Sequence, residues 1–215
     1  MTLQHQDPAG VMPRRRGRPK AADAVGKRQE ILRVATELFL TRGYREVTTR
    51  MVAEAANISR QTLFNLYKDK SQLLRACLDF TSPVYPGSAL DPSQEPTAAL
   101  NRFAVDLVHW LSRENSIGFS RLVLIDGRNL PELAAVAEEN QNTYFIAPLA
   151  TYLVKWGLEQ DGSDTNARIF ISMAISQWSQ AVSFGHDLPA DAETERHAAR
   201  ITAIFLSGAT AVPHC

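Results

Sequence analysis

The hydrophobic residues of this chain recur at helical spacing almost throughout. In residues 27–42, 100–111 and 167–182, apolar side chains lie three or four positions apart. This spacing gathers them on one face of an α-helix, whereas a half-buried strand alternates apolar and polar residues. Residues 131–158 continue the pattern, with a kink or break expected at Pro148. No segment alternates convincingly, so the sequence predicts an all-α protein.

Residues 43–80 predict three shorter helices separated by tight turns. Thr48 or Thr49 is expected to cap the first of them, and Ser59 the second, because hydroxyl oxygens accept hydrogen bonds from the free N–H groups of a first helical turn. Asn57 adopts positive φ at modest cost and therefore suits the tight turn between these two helices.

The composition changes sharply at two places along the chain. Residues 81–96 hold four prolines and a glycine, which predict a loop or a domain boundary. Residues 1–25 lack apolar periodicity and predict a disordered arm. The predicted organisation is therefore a basic arm over 1–25, a small helical domain over 26–80 and a larger helical domain over 81–215.

Charge divides the chain into two halves, although the formal net charge is zero. Residues 1–80 carry 15 lysines and arginines against eight acidic residues, a net charge of +7, and residues 81–215 carry the compensating −7. Five of the positive charges lie in RRRGRPK, which begins at Arg14. A basic region attracts phosphate, so the first half is the candidate nucleic-acid-binding part. The alternative is a nearly neutral domain that carries one basic tail.

Several classes of protein find no support in the sequence. No apolar run is long enough to span a bilayer, the N-terminal region does not have the pattern of a signal peptide, and Cys77 and Cys215 form no CxxC pair. We therefore expect a reduced, cytosolic protein. The GxSxG, P-loop, dinucleotide-binding and HExxH motifs are absent, and the five histidines and two cysteines have no metal-ligand spacing. These observations predict no enzyme, no cofactor and no metal site.

Residues 48–70 combine a helix, a tight turn and a second helix, the layout that places its second helix in the DNA major groove. On that second helix, polar side chains lie opposite Leu63 and Tyr67. Arginine suits guanine edges, and glutamine or asparagine suits adenine edges. The alternative is an ordinary helical hairpin with a solvated polar face. The candidate base-reading residues are Arg60, Gln61, Thr62 and Asn65, with Arg50 at the start of the preceding helix.

Residues 27–75 resemble the N-terminal domain of the TetR/AcrR family of bacterial transcriptional regulators. The segments ILRVATELFLTRGY, VTTRMVAEAANIS and RQTLFNLYKDKSQLL carry the resemblance. It implies an all-α homodimer in which a small helix-turn-helix domain is joined to a larger domain for ligand binding and dimerisation. It also implies that the protein represses transcription until a small molecule binds.

The resemblance assigns DNA-contacting positions, with three departures from the family's pattern. Asn57 replaces the usual turn glycine. Phe64 replaces the usual tyrosine and lacks the hydroxyl that often touches phosphate, and Leu66 replaces the usual histidine or tyrosine and donates nothing. We therefore expect weaker anchoring in the major groove. By position, the resemblance implies DNA contacts from Thr48, Thr49, Arg50, Ser59, Arg60, Gln61, Thr62, Phe64, Asn65, Tyr67 and Lys70.

The basic arm contains Arg-Gly-Arg-Pro, which resembles the core of an AT-hook. Extended arginine side chains fit the narrow minor groove of A·T-rich DNA, where the negative potential is enhanced. We expect the arm to compensate for the groups missing at Phe64 and Leu66. A solubilising tail is the alternative, and a nuclear-localisation signal conflicts with the bacterial resemblance. The arm residues concerned are Arg14, Arg15, Arg16, Arg18 and Lys20.

The second half contains candidates for a ligand pocket. Aromatic and apolar side chains with a few polar groups line pockets for organic ligands, which favours a hydrophobic or aromatic effector. Asp126 and Asn140 are candidate polar groups of this pocket. For each aromatic residue, a place in the ordinary core is the alternative. The aromatic candidates are Phe103, Trp110, Phe119, Tyr144, Tyr152 and Trp156.

A stripe of small residues predicts a dimer interface. Serines recur three and four positions apart within residues 172–183, and small side chains let two helices approach closely. Together with the apolar positions of residues 196–206, the stripe predicts half of a four-helix bundle between two subunits. Packing within one chain is the alternative. The candidate interface residues are Ser172, Ser176, Ser179, Ser183, Ile201 and Phe205.

Three functions remain open from the sequence. The preferred one is a homodimeric repressor that is released from a palindromic duplex DNA operator by a small effector, without contact to a membrane. The second is a DNA-binding protein that has no small-molecule ligand. The third is a helical enzyme or binding module whose DNA-like features are accidental.

Overall fold

The computed structural model describes residues 21–81 and 84–209. In these residues the chain forms eleven α-helices and no strand, which confirms the predicted all-α class. The helices are α1 (Ala21–Arg42), α2 (Thr49–Ala55), α3 (Arg60–Leu66), α4 (Lys70–Thr81), α5 (Pro96–Leu111), α6 (Glu114–Asp126), α7 (Pro131–Gln141), α8 (Ala147–Lys155), α9 (Thr165–Ala174), α10 (Ser176–Phe184) and α11 (Asp191–Ala209).

Local capping signals determine where α2 and α3 begin. The Thr48 hydroxyl accepts a hydrogen bond from the backbone N–H of Met51 at 3.2 Å, and the Ser59 hydroxyl accepts one from Thr62 at 3.0 Å. Asn57 takes a φ of +51° in the turn between them, the left-handed conformation that asparagine tolerates. These contacts confirm Thr48 and Ser59 as the caps, and they orient α3 relative to α2.

Three boundaries differ from the expected ones. Helix α1 begins at Ala21, inside the segment expected to be disordered, because alanine-rich sequence forms helix without an apolar period. The helix over 131–158 contains a π-helical turn at 142–146, directly before Pro148 in the first turn of α8. Proline lacks the N–H of an ordinary helical hydrogen bond, and a π turn accommodates that loss. The apolar stretch of 167–182 is divided at Ile175 into α9 and α10.

The helices bury two apolar clusters. The first joins residues of α1 to α4 with Phe119 and Leu122 of α6 and with Leu133 and Val136 of α7. The second is formed mainly by α5, α8, α9 and α11. Because α6 and α7 complete the core of the first four helices, the N-terminal helices are packed directly on the rest of the chain. The domain boundary at residue 80 stays a prediction.

Glu159 is a buried carboxylate that closes the turn before α9. One of its oxygens accepts from the backbone N–H of Asn166 at 2.6 Å and of Ala167 at 3.2 Å, and the other accepts from Gln160 at 3.2 Å. The two contacts on α9 satisfy N–H groups that have no partner within their own helix. The carboxylate therefore stabilises the start of α9 from a distant position in sequence.

Replacing Glu159 by alanine is expected to lower the free energy of unfolding by about 1–3 kcal/mol, because buried N–H groups lose their acceptor. Chemical denaturation of the two proteins measures the difference. Glu195→Ala, at an exposed position of α11, is the control and is expected to change stability by less than about 0.5 kcal/mol. Equal stability of the Glu159 variant and the wild type would contradict this role.

Candidate nucleic-acid interface and internal cavity

Helix α3 presents mostly polar side chains to solvent, together with the apolar Phe64 and Leu66. Leu63 is buried in the N-terminal core, whereas the side chains on the other sides of the helix are exposed. This is the arrangement that a groove-binding helix requires, because the base-reading groups are free to approach a ligand while the apolar face holds the helix in place. The exposed residues of α3 are Arg60, Gln61, Thr62, Phe64, Asn65 and Leu66.

The polar groups of this surface are paired with each other. Gln61 donates its amide N–H to the Asn65 side-chain oxygen at 2.9 Å. Glu54 of α2 pairs with Arg50 at 2.7 Å and lies 3.9 Å from Arg60. All of these residues are exposed, and exposed ion pairs contribute little energy, so breaking these pairs costs little.

Tyr67 does not belong to the exposed surface. Its side chain is only 4% exposed, since the ring packs into the N-terminal core and the hydroxyl accepts a hydrogen bond from Arg28 Nε of α1 at 3.1 Å. The expectation of a direct DNA contact from Tyr67 is therefore wrong in this conformation. The contact instead ties α1 to the end of α3.

Lys70, at the first position of α4, is partly buried. Its Nζ donates to the Tyr44 carbonyl at 2.8 Å and lies 4.2 Å from the centre of the Tyr44 ring. Burial lowers the pKa of Lys70, although Glu132 and Glu46 act in the opposite direction. Lys70 therefore holds α4 against the turn after α1, and the bond to the Tyr44 carbonyl uses one of its three N–H donors.

The two apolar departures of α3 are both exposed. Phe64 is 53% exposed, with Lys68 Nζ 4.8 Å from its ring centre, and Leu66 is also exposed. Neither side chain supplies a hydrogen-bond donor to phosphate. The expected weaker anchoring at these positions stays a prediction.

The basic arm residues Arg14 to Lys20 lie outside the described part of the chain. Helix α1 begins at Ala21, immediately after them, and Arg28 of this helix touches Tyr67 at the end of α3. Seven residues of α-helix span about 10 Å along the helix axis. The attachment point of the arm is therefore close to the candidate DNA-binding surface.

A cavity of about 360 Å³ lies between the N-terminal helices and the rest of the chain. Residues of α4, α5, α6, α7, α9 and α10 line it, together with Phe145, and most of its surface is apolar. Leu74 of α4 lines the cavity and is also part of the N-terminal core. One helix is therefore shared between the cavity and the helix-turn-helix core.

The structure brings two of the six aromatic candidates to this cavity, Trp110 and Phe119, and it also places Asn140 there. The other four candidates lie elsewhere. Phe103 and Tyr152 are buried in the second core, where Tyr152 donates to the Gln94 carbonyl at 2.8 Å. Tyr144 and Trp156 pack against the same core outside the cavity. Asp126 does not line the cavity but lies near Gly43 at the end of α1.

Residues that sequence reasoning missed supply much of the cavity wall. Trp178 is the largest of them, and it was visible in the sequence only as one member of the apolar face of residues 167–182. Leu74 and Leu78 come from α4, which the pattern assigned to the N-terminal domain alone. Phe145 lies in the π-helical turn, whose geometry the sequence pattern does not indicate.

An aromatic cluster joins the cavity to α4. The centre of the Trp110 ring lies 5.0 Å from that of Phe145 and 5.3 Å from that of Tyr85. The rings of Tyr85 and Tyr144 are stacked, with their centres 3.8 Å apart. The Tyr144 hydroxyl donates to Asp79 of α4 at 3.0 Å. Burial raises the pKa of Tyr85 to about 12, so its hydroxyl stays protonated at neutral pH.

The predicted dimer residues fall into three environments. Ser179 and Ser183 line the cavity, and Ser172, Ser176 and Ser183 are exposed. Ile201 and Phe205 are each only 5% exposed, because they point into the core of their own chain. The single chain therefore gives these two side chains a role in its own core, and their assignment to an intersubunit contact stays a prediction.

Within the described residues, no helix has the length and apolarity needed to cross a bilayer. In that same part of the chain, no three histidine, cysteine, aspartate or glutamate side chains are grouped so that they could hold a metal ion.

Residues 31–77 match the model of the family described as bacterial regulatory proteins, tetR family. YvkB of Bacillus subtilis, an uncharacterized HTH-type transcriptional regulator, is 42% identical over 50 residues, which are 23% of this chain and 26% of YvkB. The alignment therefore spans about a quarter of that relative. The residues matched by the family model include α2 and α3, which carry the candidate nucleic-acid interface.

Solved structures match most of the chain. A TetR-family transcriptional regulator from Mesorhizobium loti is 23% identical, with a TM-score of 0.65 and coverage of 86% of this chain and 97% of that protein. The flavonoid-responsive regulator FrrA is 20% identical, with the same TM-score and the same coverage. At these identities the likeness shows a shared fold. The match of residues 31–77 to the family model confirms the predicted resemblance of the N-terminal helices.

Proposed function

We propose that this TetR-family protein is a homodimeric transcriptional repressor that binds a palindromic DNA operator and leaves it when a small, apolar or aromatic ligand enters the cavity. The observation that carries the proposal is the exposed polar surface of α3, held in place by the buried Leu63. Arginine, glutamine and asparagine on that surface are the side chains that pair with guanine and adenine edges in the major groove.

Dimerisation is supported by the exposed apolar residues of the last helices. Ile169 of α9, Phe184 of α10 and Ile204 of α11 are all exposed in the single chain, although they are large and hydrophobic. Burial of such residues against a second copy removes apolar surface from water. Two copies related by a twofold axis present two α3 helices, which read a palindrome when they lie about one DNA turn apart.

Ligand-controlled release is supported by the position of the cavity. Leu74 and Leu78 of α4 line it, and α4 also contributes to the core that holds α3. A ligand that binds one arrangement of α4 more tightly than a second arrangement therefore shifts the protein toward the first. The resulting change in DNA affinity is limited by the difference between the ligand's affinities for the two arrangements. The fold is shared with FrrA, whose name describes it as flavonoid-responsive, and this is compatible with an aromatic effector.

Selection of bound duplexes from a random DNA pool by the full-length protein tests this function. At near-physiological salt we expect a palindromic consensus. Recovery of no consensus, with binding that disappears as salt rises, would contradict sequence-specific regulation. Saturable release from the selected operator by a small molecule would separate the ligand-controlled repressor from a DNA-binding protein without a ligand.

Deletion of residues 1–20 is expected to weaken operator binding and to flatten its salt dependence. The removed segment carries five basic residues, and each neutralised phosphate contributes about 0.9 to the slope of log K against log salt. Titrations at several salt concentrations measure the slope for both proteins. A slope equal to that of the full-length protein would show that the arm does not contact DNA.

A further inference from the structure

Lys68 is an exposed cation beside the candidate base-reading helix. It lies two residues after the end of α3, and among the described residues its ammonium group has no ion pair and no hydrogen bond. Its Nζ lies 4.8 Å from the centre of the Phe64 ring. This distance is within the range of a cation–π contact. The ammonium group is therefore held beside α3 while its three N–H donors stay available.

The backbone of Lys68 is fixed as well. Its N–H donates to the Gln72 side-chain oxygen at 3.1 Å, and the Gln72 N–H donates to the Asp69 carboxylate at 2.7 Å. These two hydrogen bonds cap the start of α4 in the manner of a capping box, and they engage the Asp69 carboxylate with that helix. The side chain of Lys68 therefore starts from a fixed backbone position and ends at the Phe64 ring.

Lys68 differs from the neighbouring Lys70 in its surroundings. Lys70 is partly buried, donates to the Tyr44 carbonyl and lies near enough to Glu46 and Glu132 to interact with their negative charges. Lys68 is exposed, and no carboxylate in the described part of the chain forms an ion pair with it. A lysine that neutralises a DNA phosphate releases the counterions bound there. Of the two lysines, Lys68 therefore has the less compensated charge for such a contact.

We propose that Lys68 contacts a DNA phosphate at the edge of the major groove and that Phe64 is the positioning residue that holds its ammonium group there. The pair then replaces the phosphate contact of the tyrosine hydroxyl that Phe64 lacks. Phosphate contacts fix the register of a protein on the duplex, so this pair helps to orient α3 over the bases. The inference rests on the DNA-binding part of the proposed function and adds a residue to it.

Titrations of the selected operator with full-length protein at several salt concentrations test the Lys68 contact. Each neutralised phosphate contributes about 0.9 to the slope of log K against log salt, and a dimer carries Lys68 twice, so Lys68→Gln is expected to flatten the slope by about 1.8. Lys155→Gln is the matched control, because Lys155 is an exposed lysine of α8, in the second half of the chain. Its slope is expected to equal that of the wild type.

A double-mutant cycle tests the role of Phe64. Phe64→Leu keeps an apolar side chain and removes the ring, and it is expected to weaken operator binding about two- to fivefold per subunit, the value of an exposed cation–π contact. In a protein that already carries Lys68→Gln, the same substitution is expected to change the affinity by less than about twofold, because the cation that the ring holds is gone. Phe64→Tyr keeps the ring and is expected to bind at least as tightly as the wild type.

Three results would overturn the inference: an unchanged salt slope in Lys68→Gln, an equal flattening in Lys155→Gln, or an equal effect of Phe64→Leu with and without Lys68. The last result would mean that the ring itself contacts the DNA. Selection of no operator would contradict the proposed function, and this inference with it. An operator that the wild type and Lys68→Gln bind with the same slope would overturn this inference alone.

Discussion

Replacing Arg60 by alanine is expected to lower the affinity for the selected operator by at least about 30-fold. Arg60 begins α3 and is exposed, and the nearest carboxylate, of Glu54, lies 3.9 Å away in an exposed pair that costs little to release. A bidentate arginine–guanine contact contributes about 1–3 kcal/mol to discrimination. A dimer on a palindrome carries the residue twice, so the expected loss is about 2–6 kcal/mol.

Fluorescence anisotropy with a labelled operator measures this loss. Titrations of the variant and the wild type with operators that each carry one changed base pair show at which position the specificity is relaxed. The control is Arg102→Ala, because Arg102 is equally charged and exposed but lies on α5 in an ion pair with Asp106. The control is expected to bind within a few-fold of the wild type. If Arg60→Ala bound like Arg102→Ala, α3 would not be the base-reading helix.

Features that depend only on residues close together in the sequence were predictable. The caps Thr48 and Ser59 and the turn at Asn57 follow from the chemistry of a few residues, and the structure shows each of them. These local signals set the position of α3, so its exposed and buried faces were also predictable. The burial of Tyr67, directly after α3, was not predictable in this way, because its ring packs into the N-terminal core and its hydroxyl is bonded to Arg28 of α1.

The cavity could not be predicted, because its wall is assembled from six helices. Trp178 and Phe103 look alike in the sequence, since both occupy apolar positions of amphipathic helices. Only the tertiary arrangement of the helices places Trp178 at the cavity and leaves Phe103 in the second core. Ile201 and Phe205 illustrate the same limit, because a helical apolar face does not indicate whether its own chain or a second chain covers it.

The path from the cavity to α4 is also a tertiary feature, and Tyr144 is its last aromatic member. Its ring stacks on Tyr85, whose other neighbour is the cavity residue Trp110, and its hydroxyl donates to Asp79. A ligand that moves Trp110 therefore acts on α4 through ring contacts and the hydrogen bond to Asp79, in addition to its direct contacts with Leu74 and Leu78. Arg75 and Glu139 form a second link between α4 and α7, so the hydroxyl carries only part of the coupling.

Tyr144→Phe is expected to keep ligand affinity and to reduce the ligand-induced loss of DNA affinity by at least about threefold, within couplings that typically amount to 5–150-fold. The measurement is the operator dissociation constant without ligand and with a saturating small molecule that releases the wild type from the operator, compared with calorimetric binding of that molecule alone. Tyr152→Phe is the matched control, because it removes a hydroxyl that donates to the Gln94 carbonyl outside the cluster. An unchanged ratio in Tyr144→Phe, or an equal decrease in Tyr152→Phe, would show that the signal reaches α4 by another contact. A decrease confined to Tyr144→Phe would show that this hydrogen bond transmits the effect of the ligand to α4. The variant is needed because a position between two sites is not by itself evidence of coupling.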